Sequence, residues 1–378
     1  MRASTINTFV GYDMRTAPAQ LPRYFVTRFH LVTLIALVLA GGATTAFRPQ
    51  MAIAQNGPRG FWQLRSDGSS DRVQLSFDDY DERLEHNGST SFSIDASLLQ
   101  GLSRSQLSGA QGPVQFRLVR DAGTFTFKGE IDRGRGNGRF DFVPDPRFAQ
   151  ELARRGYERP SAEQQFQLGL HDMGYAVVEE LKADGYNRPS VDDLVTMGMH
   201  GVQVDYVRSL SGLGYRVGRT EKLVELRDHG VTASFISGLA SAGYTRLTAD
   251  DLRELRDHGV TPSYISGLSS AGYTRLAADD LRELRDHGVT PDFIDGLARA
   301  GFKGLSTDEL RNARDHGVTP SLADGFRRLG YSRLSMRDLV RLRDHGVTLA
   351  YAERERQRSG DSVTVDELIR RRDRGDRY

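Results

Sequence analysis

Between residues 58 and 147, apolar and polar positions alternate with a period of two. Phe61-Trp-Gln-Leu64, Val73-Gln-Leu-Ser-Phe77, Val114-Gln-Phe-Arg-Leu118, Thr124-Phe-Thr-Phe-Lys128 and Arg139-Phe-Asp-Phe-Val143 all follow it. Such alternation buries one face of a strand and wets the other. Asp121-Ala122-Gly123 and the stretch Asp132 to Gly138 supply turns, so the last three runs are predicted to form an antiparallel meander. Asp95 to Leu107 is read as a helical turn or two. Five or six strands then make a small antiparallel sheet, sandwich or partial barrel, with Trp62 in its core. Gly134-Arg-Gly136-Asn-Gly138 does not lead from a strand into a helix, as a dinucleotide-binding loop must, and is read as a hairpin turn.

Beyond residue 147 the spacing becomes helical and then recurs. Arg-Asp-His-Gly-Val-Thr begins at Arg227, Arg256, Arg285, Arg314 and Arg343, placing His229, His258, His287, His316 and His345 29 residues apart. Gly243-Tyr244, Gly272-Tyr273, Gly301-Phe302 and Gly330-Tyr331 keep the same interval. A fixed period of this size marks a repeat array. Tyr157, Tyr186 and Tyr215 share the phase, as do His171 and His200, while Gly360 and Arg374 stand in for Tyr and His at the far end. The array therefore counts eight units, from about residue 157 to residue 378.

The unit starting at Tyr244 shows the logic. Thr248 and Asp251 have capping-box spacing, in which a hydroxyl satisfies an orphan N–H of the first turn. Ser190/Asp193, Ser306/Glu309, Ser335/Asp338 and Thr364/Glu367 repeat it, and Arg219 and Ala277 break it. Leu252 and Leu255 share one face, Gly259 is a left-handed C′ residue, and Val260 supplies the accompanying apolar contact. Thr261 caps a second helix with Pro262 in its first position, as Pro291 and Pro320 do later. Tyr264, Ile265 and Leu268 face inward, Gly272 ends the helix and Tyr273 docks behind it. Helices of about eight to ten residues do not hold alone in water, so each must bury its stripe on neighbouring units, as in a solenoid. Gly238, Gly267, Gly296 and Gly325 lie inside second helices, where each costs about 1 kcal/mol; close approach of a neighbouring backbone is the expected offset. The predicted fold is α+β and multidomain: a small antiparallel β-domain at 58–147, then a bridging helix over Phe148 to Gly156 and an all-α solenoid of eight helix-turn-helix repeats within 148–378.

Charge narrows the function classes. The 378 residues include 51 Lys+Arg and 50 Asp+Glu, with no basic stripe, so a nucleic-acid partner is not expected. Cysteine is absent, which excludes disulfides, a thiolate nucleophile and cysteine-ligated zinc. Arg15, Arg23 and Arg28 precede an apolar run from Leu31 to Ala40, and Ala52-Ile53-Ala54 has the A-x-A form of a cleavage site. Residues 1–54 thus read as a secretory signal peptide cleaved after Ala54, with Met14 as an alternative start and the periplasm or cell envelope as destination. The alternative is an uncleaved membrane anchor over Phe29 to Phe47, the one membrane contact expected. Without the leader, 46 basic and 49 acidic residues remain.

A row of histidines invites a metal-binding or proton-sensing reading, because imidazole is the common metal ligand and titrates near neutral pH. Spacing opposes it. Equivalent side chains one repeat apart lie about 10 Å from each other, whereas zinc draws its ligands to about 2.0–2.3 Å. HExxH, HxxxH and acidic metal loops are absent. The preferred role for the ladder Arg227, His229, Arg256, His258, Arg285, His287, Arg314, His316, Arg343 and His345 is structural, or as a surface for interaction. Cations in a helix's last turn meet its carbonyl end, and Asp257 caps or pairs with the adjacent repeat. No catalytic, metal or cofactor residue is assigned, and no cofactor is expected. Asp250-Asp-Leu-Arg-Glu-Leu-Arg-Asp257 is a solvated face with i,i+4 pairs. Repeated along the array it becomes a ridge of mixed sign, which steers a partner little.

His-Gly-Val-Thr-Pro, an aromatic, Gly-Tyr and Arg-Leu-x-x-Asp-Asp-Leu together resemble the short helical repeats of uncharacterised bacterial envelope proteins. Similar repeats follow the peptidase domain of some penicillin-sensor-type (antirepressor) membrane zinc metallopeptidases. The resemblance covers about residues 150–378 and implies the accessory array alone, since the HExxH zinc helix of the peptidase is missing. The expectation is an exported, non-enzymatic protein whose array surface binds another protein or an envelope component. The alternatives are a regulatory or sensory accessory subunit of a membrane peptidase or sensor, a structural spacer, and an enzyme with an unrecognised site in the β-domain. Against the last, that domain has one histidine, His86, and no nucleophile elbow.

Overall fold

The computed structural model describes residues 57–66, 71–79, 89–359 and 363–375. The leader with Ala54, His86 and Gly360 lie outside them. Among the described residues no helix is long and apolar enough to cross a membrane.

The alternating runs fold into one curled antiparallel sheet. Its strands are β1 (Arg59–Arg65), β2 (Arg72–Asp79), β3 (Ser89–Asp95), β4 (Leu99–Gln100), β5 (Gly112–Arg120), β6 (Gly123–Asp132) and β7 (Arg135–Pro144), in the spatial order β3-β2-β1-β7-β6-β5-β4. The meander β5-β6-β7 is the predicted one. Strands β3 and β4 were not among the predicted runs. In β3 only Phe92 and Ile94 interrupt a serine- and threonine-rich segment, and β4 is two residues long. Between β3 and β4 a short 3-10 turn spans Ala96–Leu98, and α1 (Arg104–Ser108) follows β4. The inner face is aromatic: Phe125 opposes Phe142, and Phe127 lies between Phe140 and Phe116, all buried.

The glycine run needs correction. Only Arg133 and Gly134 turn the chain, both with positive φ. Gly136 and Gly138 lie within β7. A Cβ on Gly136 would come within 2.9 Å of the Trp62 indole, and one on Gly138 would overlap the Lys128 carbonyl. The run is a seat for Trp62, which is buried and whose Nε1–H donates to the Lys128 carbonyl at 3.2 Å.

Sixteen helices follow the sheet in two alternating classes. The first helices are α3 (Ala162–Leu170), α5 (Val191–Met199), α7 (Thr220–Asp228), α9 (Ala249–Asp257), α11 (Ala278–Asp286), α13 (Thr307–Asp315), α15 (Met336–Asp344) and α17 (Val365–Asp373). The second helices are α4 (Tyr175–Ala183), α6 (Val204–Gly212), α8 (Ala233–Ser241), α10 (Pro262–Ser270), α12 (Pro291–Arg299), α14 (Pro320–Arg328) and α16 (Leu349–Ser359). The sixteenth is the predicted bridge, α2 (Pro146–Arg154). It has the second-helix design: a capping Asp145, proline in its first turn, and Gly156-Tyr157 where others have Gly272-Tyr273. The sheet and the array also share an element. Phe166 of α3 packs on Phe125, Phe140 and Phe142 at ring-centroid distances of 5.7, 6.0 and 5.5 Å, inside the core of the sheet. Phe148 and Leu152 of α2 belong to the core of the array.

Like helices stack on like, α3 on α5 and α12 on α14. Leu252, Leu255, Val260 and Leu268 are at most 1% exposed, and their equivalents continue one apolar seam. Each such leucine contributes about 1.5–3 kcal/mol by its burial. The helix ends follow the predicted chemistry. Val260 N–H bonds the Leu255 carbonyl at 2.8 Å and Gly259 N–H the Arg256 carbonyl at 3.1 Å, with Gly259 at φ 68°; this is the Schellman pattern. Capping boxes form at Ser190, Thr248, Ser306 and Ser335. At Thr364 only the hydroxyl half forms, because the Glu367 carboxylate is held by Arg371. Arg219 and Ala277 make no side-chain cap.

The glycines inside second helices face a side chain, not a neighbouring backbone as expected. A Cβ on Gly238, Gly267 or Gly296 would come within 2.5–2.6 Å of the ring Cγ of Pro262, Pro291 or Pro320 in the next repeat. At Gly325 the neighbour is Leu349. The first-position proline of one repeat thus fills the space left by the glycine of the repeat before it.

Candidate functional site

Each ladder histidine is the C-cap of a first helix, immediately before the glycine turn. That position swings the ring toward the following repeat. His200, His229, His258, His287, His316 and His345 place Nδ1 2.6–2.8 Å from Asp228, Asp257, Asp286, Asp315, Asp344 and Asp373. The first five aspartates each directly precede the next histidine, and Asp373 precedes Arg374, so every interior repeat gives an acceptor backward and a ring forward. The expected service to the helix's own carbonyl end is replaced by this pairing between repeats. The carboxylate accepts from Nδ1 and leaves Nε2 as the ring's remaining polar atom. The six rings are about two-fifths exposed, 39–42%.

His171 shares the phase but not the ladder. Met199 stands where its aspartate would be. Its ring is 8% exposed, edge-on to Phe92 of β3 at 5.6 Å, and burial pushes its pKa below the ordinary histidine value.

The arginines of the cluster form a second ladder. Arg227, Arg256, Arg285 and Arg314 lie over the rings of Tyr206, Phe235, Tyr264 and Phe293 of the preceding repeat, 5.0–5.4 Å from the centroids. For Arg343 the ring's place in the sequence is taken by Leu322, and it has no ring contact among the described residues. Where the ring is tyrosine it makes a further bond. Tyr206 and Tyr264 donate to the Val231 and Val289 carbonyls at 2.9 and 2.8 Å, and burial raises both phenols to a pKa of about 12. The ten singled-out residues are therefore not gathered at one place. They form two rows, a histidine row with a rung at every one of the five and an arginine row that breaks at Arg343.

The charged ridge is laced in the same way. Glu225, Glu254 and Glu283 pair with Arg253, Arg282 and Arg311 of the next first helix. Among the described residues no group of three His, Asp or Glu side chains has the geometry to hold a metal ion.

Two hollows were not legible in the sequence. One, about 650 Å³, lies where β5 meets α2 and the turn before α4. In it Arg120 pairs with Asp172 at 2.8 Å, and Asp121 accepts the Tyr175 N–H at 2.8 Å. The other, about 660 Å³, opens at the head of the third repeat around Tyr215. Both need side chains from separate elements, which no local pattern announces. No protein-family profile matches the chain, and no curated protein is similar to it.

Proposed function

We propose that this is an exported, non-enzymatic scaffold that binds a protein partner along the histidine edge of its array. The observation that carries the reading is the six-rung His–Asp row. Each ring is clamped through Nδ1 and presents the same polar atom, Nε2, once per repeat. A clamped side chain has already lost the rotamer freedom that binding would otherwise cost it. A row of identical groups at a constant interval suits a partner that makes several small contacts at once, whose effects multiply. Export rests on the predicted leader.

The test compares the full-length protein with its His258→Ala/His287→Ala variant in capture from envelope extract. The expected result is a partner retained by the wild type and lost by the variant, with thermal unfolding shifted by only a few degrees because exposed pairs contribute about 0–1 kcal/mol each. A membrane peptidase or sensor as that partner would assign the accessory-subunit role. No partner on the wild type, or equal capture by both proteins, sinks the reading.

A further inference from the structure

The ladder arginines differ from the other arginines of the first helices. Arg253, Arg282, Arg311, Arg341 and Arg371 all sit in ion pairs. Arg227, Arg256, Arg285, Arg314, Arg343 and Arg372 are exposed, and among the described residues none has a carboxylate at ion-pair distance or donates a hydrogen bond to the protein. They are held in one arrangement all the same. A Cβ on Gly201, Gly230, Gly259, Gly288, Gly317 or Gly346 would lie 3.3–3.8 Å from Nε of the arginine 26 residues later. Each guanidinium thus packs on the glycine turn that follows the first helix of the preceding repeat. Rings support five of the six, and Arg343 packs on its glycine like the others.

The acids of this edge leave the row uncancelled. The six ladder aspartates are each occupied by a histidine. Beside Arg227 a hollow of about 370 Å³ opens between Gln203, Asp205, Ser209 and Thr232, and Asp205 disfavours an anion there. At 29-residue steps from Asp205 come Ser234, Ser263, Asp292 and Ser321. Arg256, Arg285 and Arg343 therefore have serine where Arg227 and Arg314 have an acid.

We propose that the partner of the histidine edge is acidic: an extended polypeptide segment whose Asp or Glu carboxylates lie on the guanidiniums along the row from Arg256 to Arg343. The inference rests on the reading that a protein docks along this edge, and it names the chemistry of that protein. Stacked helices lie about 8–10 Å apart, and three residues of extended chain rise about 10 Å. A carboxylate on every third residue then meets one rung each. A guanidinium matches a carboxylate with two parallel bonds, and contacts made by one chain multiply. Outside the leader the chain has more acidic than basic residues, so its net charge does not attract such a segment and binding reports the row.

The test is a fluorescence-anisotropy titration of the full-length protein with a rhodamine-labelled peptide of five Glu-Ser-Ser units. The same peptide with Gln for Glu, and polygalacturonate as competitor, complete the set. The Glu peptide is expected to bind at least about tenfold tighter than the Gln peptide. Arg256→Gln/Arg285→Gln is expected to weaken it about tenfold. Arg253→Gln/Arg282→Gln removes the same charge from the ion-paired ridge and is expected to leave binding within about threefold of wild type, because exposed paired charges contribute little. Equal binding of both peptides, equal weakening by the two double variants, or polygalacturonate binding tighter than the Glu peptide overturns the proposal. Capture from envelope extract separates the two readings. A partner lost by His258→Ala/His287→Ala but retained by Arg256→Gln/Arg285→Gln sinks the acidic row alone. Arginine-dependent binding of the Glu peptide with no captured partner supports the row and sinks the partner reading.

Discussion

Gly267→Ala is the sharpest test of how the repeats interlock. In an unencumbered helix interior this substitution stabilises by about 1 kcal/mol, because alanine loses less backbone entropy than glycine. Here the new Cβ would sit 2.5 Å from Cγ and 3.1 Å from Cβ of Pro291. Carbon atoms prefer about 3.5–4.0 Å, so α10 and α12 must part by up to about 1 Å. The proline cannot turn aside, because its ring is closed on the backbone at the first position of α12. Overpacking of this kind costs about 1–3 kcal/mol, enough to cancel or reverse the propensity gain. Adding Pro291→Ala removes the obstacle, so the pair should couple by at least about 1 kcal/mol in a double-mutant cycle. Gly325→Ala is the internal control. Its Cβ would meet the methyl groups of Leu349, the free end of a side chain that can change rotamer, so it should cost less than Gly267→Ala. The assay is urea unfolding of the full chain followed by far-UV circular dichroism, with midpoints compared because repeat arrays need not unfold in two states. If Gly267→Ala raises the midpoint as an ordinary helix glycine would, or shows no coupling to Pro291, the interlock is refuted.

The arginine ladder predicts a contrast within one chain. Arg285→Ala removes a guanidinium from the Tyr264 ring and should cost about 0.5–1 kcal/mol more than Arg343→Ala, whose repeat has Leu322 in the ring's place; equal shifts in melting temperature would show that the rings contribute nothing. His171 predicts a pH dependence. Burial holds its folded pKa below the ordinary 6.5, so the unfolded chain takes up the proton first as pH falls. Its contribution is therefore complete above about pH 6.5 and declines below that until the folded ring also protonates. His171→Gln should flatten the fall in urea midpoint between about pH 7.5 and about pH 5.5; parallel curves for the two proteins would contradict the assignment.

What could be read from the residues was what is encoded locally. Thr248 with Asp251, Gly259 with Val260, and Thr261 with Pro262 each act within a few positions, so their roles follow from helix-end chemistry alone. Contacts between repeats were only partly legible. The Asp257 pairing was foreseeable, but its partner His229 is 28 residues earlier and could have been any group of the neighbouring unit. The glycines had a visible correlate: Gly238, Gly267 and Gly296 are each followed 24 residues later by proline, and Gly325 is followed by Leu349. Turning that correlation into a contact requires knowing which helices stack. In the sheet, β3 escaped because serine and threonine dilute its alternation, and Gly136 and Gly138 passed for turn residues because their reason, the Trp62 indole, lies on another strand.

The four kinds of rung between repeats also explain why the leucine seam has a single register. Buried leucines bind strongly but discriminate poorly between neighbouring alignments, because hydrophobic attraction has no direction. Histidine to aspartate, arginine to ring, tyrosine hydroxyl to carbonyl, and glycine to proline each demand one offset, though the exposed pairs among them contribute only about 0–1 kcal/mol. Their main effect is to fix alignment, and alignment tolerates scattered losses. Leu322 lacks a ring, Phe235 lacks a hydroxyl, Ala277 lacks a cap, and Leu349 replaces a proline, yet other rungs hold each of those junctions. A purely structural array would drop rungs one at a time in this scattered way. The head of the third repeat gives up a half-buried leucine, the cap and the capping acid within five residues, at Gly218, Arg219 and Lys222, and Tyr215 beside them lacks the carbonyl bond that Tyr244 and Tyr273 make.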